Sequence, residues 1–275
     1  MSGLETLTFA TTAETLVYLA RRPYENVFVA WLIETGQASR GQVVLWRDAA
    51  GAVAGVCYYG AQIVPCADDG DALDAFAERS RNAREARMFV GPRPAIEAVW
   101  TRARAWFPPP RAIRARQLVY ALERSSLRAF ALDAGGAAAR ALPDEVDELV
   151  PHSAQMISGE IGGDPTRVTP EFRSRCARIV AAGWWWRYRV GQTLAFTCNI
   201  GSATALTAQI QGVWTPPYLR GAGHATRGLA AICDDMLRAF PTLTLYVNDF
   251  NSAAIALYER VGFERVGEFA TILFD

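Results

Sequence analysis

The sequence predicts a mixed α/β fold in two units, each a sheet flanked by helices. Three observations predict it. Strand-like apolar runs alternate with helical periodicities along the whole chain. The spacers between them are short and rich in turn residues. The length of 275 residues exceeds one average domain and suits two of roughly 130 residues.

Residues 13–21 and 24–34 carry helical spacing; in the second, Val27, Trp31 and Glu34 share a face and Phe28 and Leu32 the adjacent one. Residues 42–46 and 53–59 read as strands joined by the hairpin turn Arg47-Asp48-Ala49-Ala50-Gly51. A helix is expected over 71–84, a short strand over 88–90 and a helix over 95–106. Phe107-Pro108-Pro109-Pro110 ends that helix, because three prolines cannot continue one. Residues 116–123 are strand-like. A boundary is expected at 123–127, giving units 1–125 and 126–275. In the second unit, 134–140 reads as a small-residue turn. Helices are expected over 144–157 and 170–182, on either side of the polar loop Ser158-Gly159-Glu160-Ile161-Gly162-Gly163-Asp164-Pro165. Residues 184–190 and 193–200 form a hairpin through Gly191-Gln192. The strand 204–215 presents Leu206, Ala208, Ile210 and Trp214 on one face and Thr207, Gln209, Gln211 and Val213 on the other. Residues 224–240 read as a helix, with Ala225, Leu229, Ile232 and Met236 stacked along it. A strand over 243–247, the run Asn251–Phe263 and strands over 264–268 and 270–274 complete the chain.

Composition excludes several functions. The 28 basic and 28 acidic residues cancel, so no global field favours nucleic acid or a membrane surface. No apolar run approaches the ~18 residues of a membrane span, and there is no basic-then-apolar leader, so a soluble cytoplasmic protein is expected. Cys57, Cys66, Cys176, Cys198 and Cys233 are odd in number and scattered, which argues against a disulfide framework and structural zinc. With His152 and His224 the only histidines, no histidine-based metal site is expected.

The densest signal lies between Val213 and Phe263. An apolar strand runs into Tyr218-Leu219-Arg220-Gly221-Ala222-Gly223-His224-Ala225 and then into a helix. A glycine-bearing turn there aims backbone N–H groups at one spot, at the positive end of the helix, and makes a phosphate cradle. Gly221 and Gly223 let the backbone approach closely and take positive φ.

Arg220, Gly223 and Ala225 meet the pattern Arg/Gln-x-x-Gly-x-Gly/Ala, and Asn251, Ala254, Leu257, Tyr258, Gly262 and Phe263 meet a second signature. Together they resemble the acyl-CoA-binding core of the GNAT acetyltransferase superfamily, closely over about 50 residues and loosely from about Leu127 onward. Pro23-Tyr24-Glu25-Asn26-Val27-Phe28-Val29 resembles a domain of unknown function fused to GNAT domains in a group of bacterial acetyltransferases. The element order of the N-terminal half looks like a degenerate copy of the C-terminal half. Its phosphate turn is expected at Gly91-Pro92-Arg93-Pro94, where two prolines remove N–H donors, so this half is not expected to bind CoA.

The resemblance implies an N-acetyltransferase that moves an acetyl group from acetyl-CoA to a primary amine by direct attack, with no metal. It assigns the pantetheine arm to backbone groups of Val213 and Thr215, around Trp214. The pyrophosphate goes to N–H groups from Arg220 through Gly221, Ala222, Gly223 and His224 to Ala225, with the Arg220 side chain as an added cation. His224 otherwise reads as an exposed first-turn residue. Asn248 and Asn251 are either helix caps or contacts to the arm. Tyr258 is assigned as the general acid that protonates the leaving thiolate. Many family members place a glutamate on the strand before the cradle; here Gln209 and Gln211 stand there and cannot take a proton. Glu160, with Asp164 as neighbour, is the candidate base or orienting group; a water chain or an amine that arrives deprotonated serves equally. Trp184-Trp185-Trp186 reads as core and interface packing, with an aromatic substrate wall as the alternative. Two other readings stand beside this one: a non-catalytic acyl-CoA-binding or regulatory module, and a tandem acyltransferase that uses aminoacyl-tRNA. The absence of a basic surplus argues against the latter.

Overall fold

A computed structural model describes residues 3–161, 164, 166 and 168–275; the side chains of Glu160 and Ile161 lie outside that description. The N-terminal half runs β1 (Gly3–Thr6), α1 (Thr12–Leu19), α2 (Pro23–Glu34), β2 (Val43–Arg47), β3 (Val53–Tyr59), β4 (Gln62–Ala67), α3 (Gly70–Ser80), β5 (Met88–Pro92), α4 (Arg93–Ala103) and β6 (Ala112–Glu123). The C-terminal half runs β7 (Gly136–Arg140), α5 (Val146–Ile161), α6 (Pro170–Ala181), β8 (Trp185–Val190), β9 (Thr193–Ala203), β10 (Ala208–Trp214), α7 (His224–Met236), β11 (Thr242–Asn248), α8 (Ser252–Val261) and β12 (Glu264–Leu273). The mixed α/β class follows as expected. No described helix is long and apolar enough to cross a membrane.

Local sequence sets many of the boundaries. Pro23 sits at the first position of α2, where a fixed φ and a missing N–H do no harm. The Thr169 hydroxyl accepts from Phe172 N (3.2 Å) to start α6. Asp48 accepts from the amides of Ala50 and Ala52 and closes the β2–β3 hairpin, with Gly51 at φ +84°.

The twelve strands among the described residues form one sheet in the order β1-β2-β3-β4-β5-β12-β6-β11-β10-β9-β8-β7. Two pairs are parallel, β4 with β5 and β10 with β11; the other neighbours are antiparallel. The halves therefore repeat one plan, with α3 crossing between β4 and β5 as α7 crosses between β10 and β11. They also exchange their last strands. β12 pairs with β5 of the N-terminal half, and β6 pairs with β11 of the C-terminal half (Asn248↔Gln117 to Thr242↔Glu123). The cores follow the exchange. Leu118, Tyr120 and Leu122 of β6 are buried with Phe196, Leu229 and Met236, while Ala270, Ile272 and Phe274 are buried with Phe76, Phe89 and Val99. Trp184 meets Trp31 of α2, with ring centroids 6.3 Å apart, so one tryptophan of the triplet does pack between the halves.

The structure departs from the sequence reading at several elements, β1 (Gly3–Thr6), which was not expected, among them. β4 was not expected, and Pro65 lies within it. Its pairing with β5 ends at Ile63↔Phe89, and the Pro65 carbonyl lies 3.4 Å from where a Cβ on Gly91 would sit. Pro65 thus turns its polar edge toward β5 where that ladder has already ended, and its missing N–H costs no bond. Residues 136–140 are an edge strand rather than a turn: paired with β8, Gly-Ala-Ala-Ala-Arg needs no strand propensity of its own. The two strands expected after residue 263 are one, β12, with register shifts on either side of Gly267–Phe269. Ser158, Gly159 and Glu160 continue α5 instead of opening a loop; Gly162, Gly163 and Pro165 of that loop lie outside the described residues.

Candidate functional site

β10 and β11 pair only at Ala208↔Leu243 and Gln209↔Thr244, then diverge. A bulge drives the divergence. The β9 register shifts between Gln211 and Trp214, and Gly212 takes φ +66°. That φ favours glycine, and a Cβ there would sit 2.3 Å from Asn199 Nδ2, so the Asn199 side chain would have to move. The strands open a cleft of about 410 Å³. Gln209 and Gln211 line it, as their alternation along β10 predicts. Apolar side chains of α5 and α6, including Met156, Ile157 and Phe172, close it from one side.

Tyr258 stands in the wall of this cleft at 6 % exposure, with its ring 6.3 Å from that of Tyr120 and edge-on to Phe263. Asn251 lines the cleft and also caps α8, its Oδ1 accepting from Ala254 N (3.2 Å). Asn248 Oδ1 accepts from Gln117 Nε2 (3.0 Å), and Gln117 Oε1 accepts from the Thr271 hydroxyl (2.6 Å). This amide chain ties β11, β6 and β12 together at the cleft floor. Tyr246, Arg114 and Gln117 also line the cleft. The sequence reading missed all three: the arginine and glutamine come from the exchanged strand β6, and no local pattern signals that arrival. The Asn199 Oδ1 is buried beside the bulge without a hydrogen-bond partner among the described residues.

Beyond β10 the chain passes through Thr215, Pro216 and a short 3-10 turn, Pro217–Leu219, into Arg220–Gly223 and α7. Gly221 and Gly223 adopt φ +81° and +83°, as expected of the cradle. Gly223 is the N-cap of α7 and supplies no side-chain cap, so the first N–H groups of the helix keep their affinity for an outside anion. The Arg220 guanidinium stacks 4.7 Å over the Trp214 ring, and its Nε donates to the Thr215 carbonyl (3.1 Å).

His224 is not the exposed residue the sequence reading favoured: its side chain is 16 % exposed. Asp133, 91 residues earlier, holds it, with Nδ1 to Oδ2 at 2.8 Å. The carboxylate also accepts from the Tyr188 hydroxyl (2.9 Å) and pairs with Arg227 (3.2 Å), whose Nη1 donates to the Ala222 carbonyl. Because an ionised carboxylate only accepts, Nδ1 carries the proton. These bonds, the one to His224 foremost, pull the Asp133 pKa below its ordinary 3.8 against the opposing effect of burial. A depressed carboxylate contributes stability that is fully present above its ordinary pKa and lost as pH falls through the lower folded value. The melting-temperature gap between wild type and Asp133→Asn is therefore expected to be open at pH 7 and to close as pH falls below ~4. A gap that is absent at pH 7 would remove Asp133 from the cradle's support.

Asp164 accepts from the amide and hydroxyl of Thr166 (2.9 and 2.7 Å), a local turn on the surface. The Glu160 side chain lies outside the described residues. Trp185 lines the cleft, its Nε1 donating to Thr197 (2.5 Å), whereas Trp186 is buried in the core and bonds Asp235. No group of His, Cys, Asp or Glu among the described residues could hold a metal ion.

The N-terminal half lacks a matching cradle, at a different place from the one the sequence reading chose. The repeat aligns β4–α3 with β10–α7, so the equivalent turn is Asp68-Asp69-Gly70-Asp71, not Gly91-Pro92-Arg93-Pro94. Asp69 Oδ1 already accepts from Ala72 N (2.9 Å), which puts a carboxylate where a phosphate would bind.

Residues 164–263 match the family described as "Acetyltransferase (GNAT) family", and residues 41–149 match one described as "Domain of unknown function (DUF4081)". A tandem GNAT protein from the clavulanic acid biosynthesis pathway aligns over 99 % of this chain and 98 % of its own, with TM-score 0.59 and 14 % identity. A GCN5-related N-acetyltransferase from Sphaerobacter thermophilus aligns over 98 % and 94 %, with TM-score 0.64 and 16 % identity. A GNAT-family acetyltransferase from Colwellia psychrerythraea aligns over 99 % and 100 %, with TM-score 0.60 and 11 % identity. At these identities the likeness is one of fold. No curated protein matches the chain by sequence.

Proposed function

Since the chain is a tandem GNAT-fold protein with a GNAT acetyltransferase domain in its C-terminal half, we propose that it transfers an acetyl group from acetyl-CoA to a primary amine. The observation that carries this reading is the splayed cleft between β10 and β11, with Tyr258 in its wall and an uncapped, glycine-built helix start beyond it. The pyrophosphate binds the N–H groups from Arg220 to Ala225, and the pantetheine arm runs along Val213 to Thr215, past Asn248 and Asn251. The amine attacks the thioester carbonyl, which the Val213 N–H polarises. The C–S bond then breaks and the thiolate takes the Tyr258 hydroxyl proton. Glu160, or a water, takes the proton that the amine loses. We further propose units 1–125 and 126–275, and a cytoplasmic setting; five free, buried cysteines fit a reducing compartment.

Calorimetric titration with acetyl-CoA tests the reading. Wild type is expected to bind at micromolar strength. Gly223→Pro is expected to lose binding, because proline holds φ near −65° where Gly223 needs +83°. Binding that survives the substitution would place acetyl-CoA elsewhere. Gln209 and Gln211 at the positions of a base favour a second reading, a non-catalytic acyl-CoA-binding module; thiol release with no amine of a broad panel would select it.

A further inference from the structure

Gln117 is an amide buried in a central strand, 2 % exposed, at a place where burying a polar group is costly unless it is bonded. Both ends of the amide are used. The Thr271 hydroxyl donates to Oε1 (2.6 Å), and Nε2 donates to Asn248 Oδ1 (3.0 Å). The direction of this chain is set from its far end. Thr271 is 4 % exposed, and among the described residues its hydroxyl proton has no acceptor but Gln117 Oε1. Turning the Gln117 amide round would strand that proton in the interior, and a buried donor without an acceptor costs more than an idle lone pair. Gln117 therefore donates to Asn248, and the Asn248 amide is held with Oδ1 turned toward β6. What Asn248 presents to the cleft, which it lines together with Gln117, is Nδ2, a donor. The register supports the chain. Asn248 and Gln117 are direct partners on β11 and β6, so their side chains share a face. Thr271 lies past the register shift of β12, pairs with Val90 of β5 and does not line the cleft.

We propose that Thr271 and Gln117 are positioning residues that hold Asn248 as a hydrogen-bond donor to a carbonyl of acetyl-CoA, on the pantetheine arm or at the thioester. This rests on the acetyltransferase reading above. It makes acyl-CoA affinity in the C-terminal half depend on β6, and on a residue of β12 that is itself paired with the N-terminal half.

The test is a double-mutant cycle, read by calorimetric titration of the full chain with acetyl-CoA. Thr271→Val keeps the shape of the side chain and removes the hydroxyl. Asn248 is then no longer held in one direction, and acetyl-CoA is expected to bind about three- to tenfold more weakly. Thr271→Ser returns the hydroxyl and is expected to return the affinity. In an Asn248→Ala background, Thr271→Val is expected to change nothing further, because the group it directs is gone. Gln117→Leu repeats the cycle from the middle of the chain and carries the test if Thr271→Val does not fold. Titration with CoA locates the carbonyl: weakening with both ligands assigns it to the pantetheine arm, weakening with acetyl-CoA alone to the thioester. Unchanged affinity in either folded variant, or the same loss with and without the Asn248 side chain, would overturn the proposal and leave the chain a purely structural tie. No binding by the wild type would remove the parent reading and this inference with it. Wild-type binding that these variants do not alter removes this inference alone.

Discussion

Tyr258→Phe is expected to lower kcat by a factor of roughly 10²–10³, the range of a positioned general acid, and to leave acetyl-CoA affinity nearly unchanged. The substitution separates chemistry from structure unusually well. The ring is 6 % exposed and packs against Tyr120 and Phe263; phenylalanine keeps all of that area and removes one oxygen. A fall in kcat without a fall in melting temperature then reports on the proton that the hydroxyl delivers. Thiol-release kinetics and calorimetric titration on the same preparation provide both readouts. If kcat stays within about twofold, well short of the effect of losing a general acid, another group or a water protonates the thiolate.

Gly262→Ala is expected to be the most damaging single-methyl change in the C-terminal half. Gly262 ends α8 at φ +115°, a conformation that costs a side-chain-bearing residue about 1–2 kcal/mol. The added Cβ would also sit 2.0 Å from the Ser126 carbonyl oxygen. That carbonyl cannot swing away freely, because Arg128 N, two residues on, donates to the Val261 carbonyl (2.9 Å). Strain and a backbone clash together should exceed ~4 kcal/mol, or ~8–16 °C in melting temperature. Gly221→Ala is the control. Its φ of +81° imposes a comparable strain, but a Cβ there meets nothing within 4 Å, so the loss should stay near 1–2 kcal/mol. Equal losses in the two variants would mean that the crossing of the 126–128 segment over the end of α8 is not rigid.

The local geometry of the candidate C-terminal site was legible because its signals are local. The cradle, the cap at Asn251 and the alternation of Gln209 and Gln211 each lie within one short run, where periodicity and turn chemistry act directly. The rest fails for identifiable reasons. Without β4 the repeat slides by one element, which puts the counterpart of the cradle turn at Gly91 rather than at Asp68–Asp71. The small residues of 136–140 carry no strand preference, and pairing with β8 alone decides their state. The Asp133–His224 pair and the arrival of Arg114 in the cleft depend on contacts about a hundred residues apart, which no window of sequence contains. Strand exchange belongs to the same class: the pattern of β12 says that it is a strand, not which half it completes.

The exchange also sets an order of events in the life of the chain. β6 is made early, yet both of its neighbours, β11 and β12, are made last. On the ribosome the N-terminal half must wait, its β5 and β6 edges bare, for about 150 more residues to be synthesised, on the order of ten seconds or more. Bare strand edges recruit other chains. This protein should therefore depend on holding factors during synthesis, and should refold from denaturant slowly in a single concerted step, with yields that fall as concentration rises.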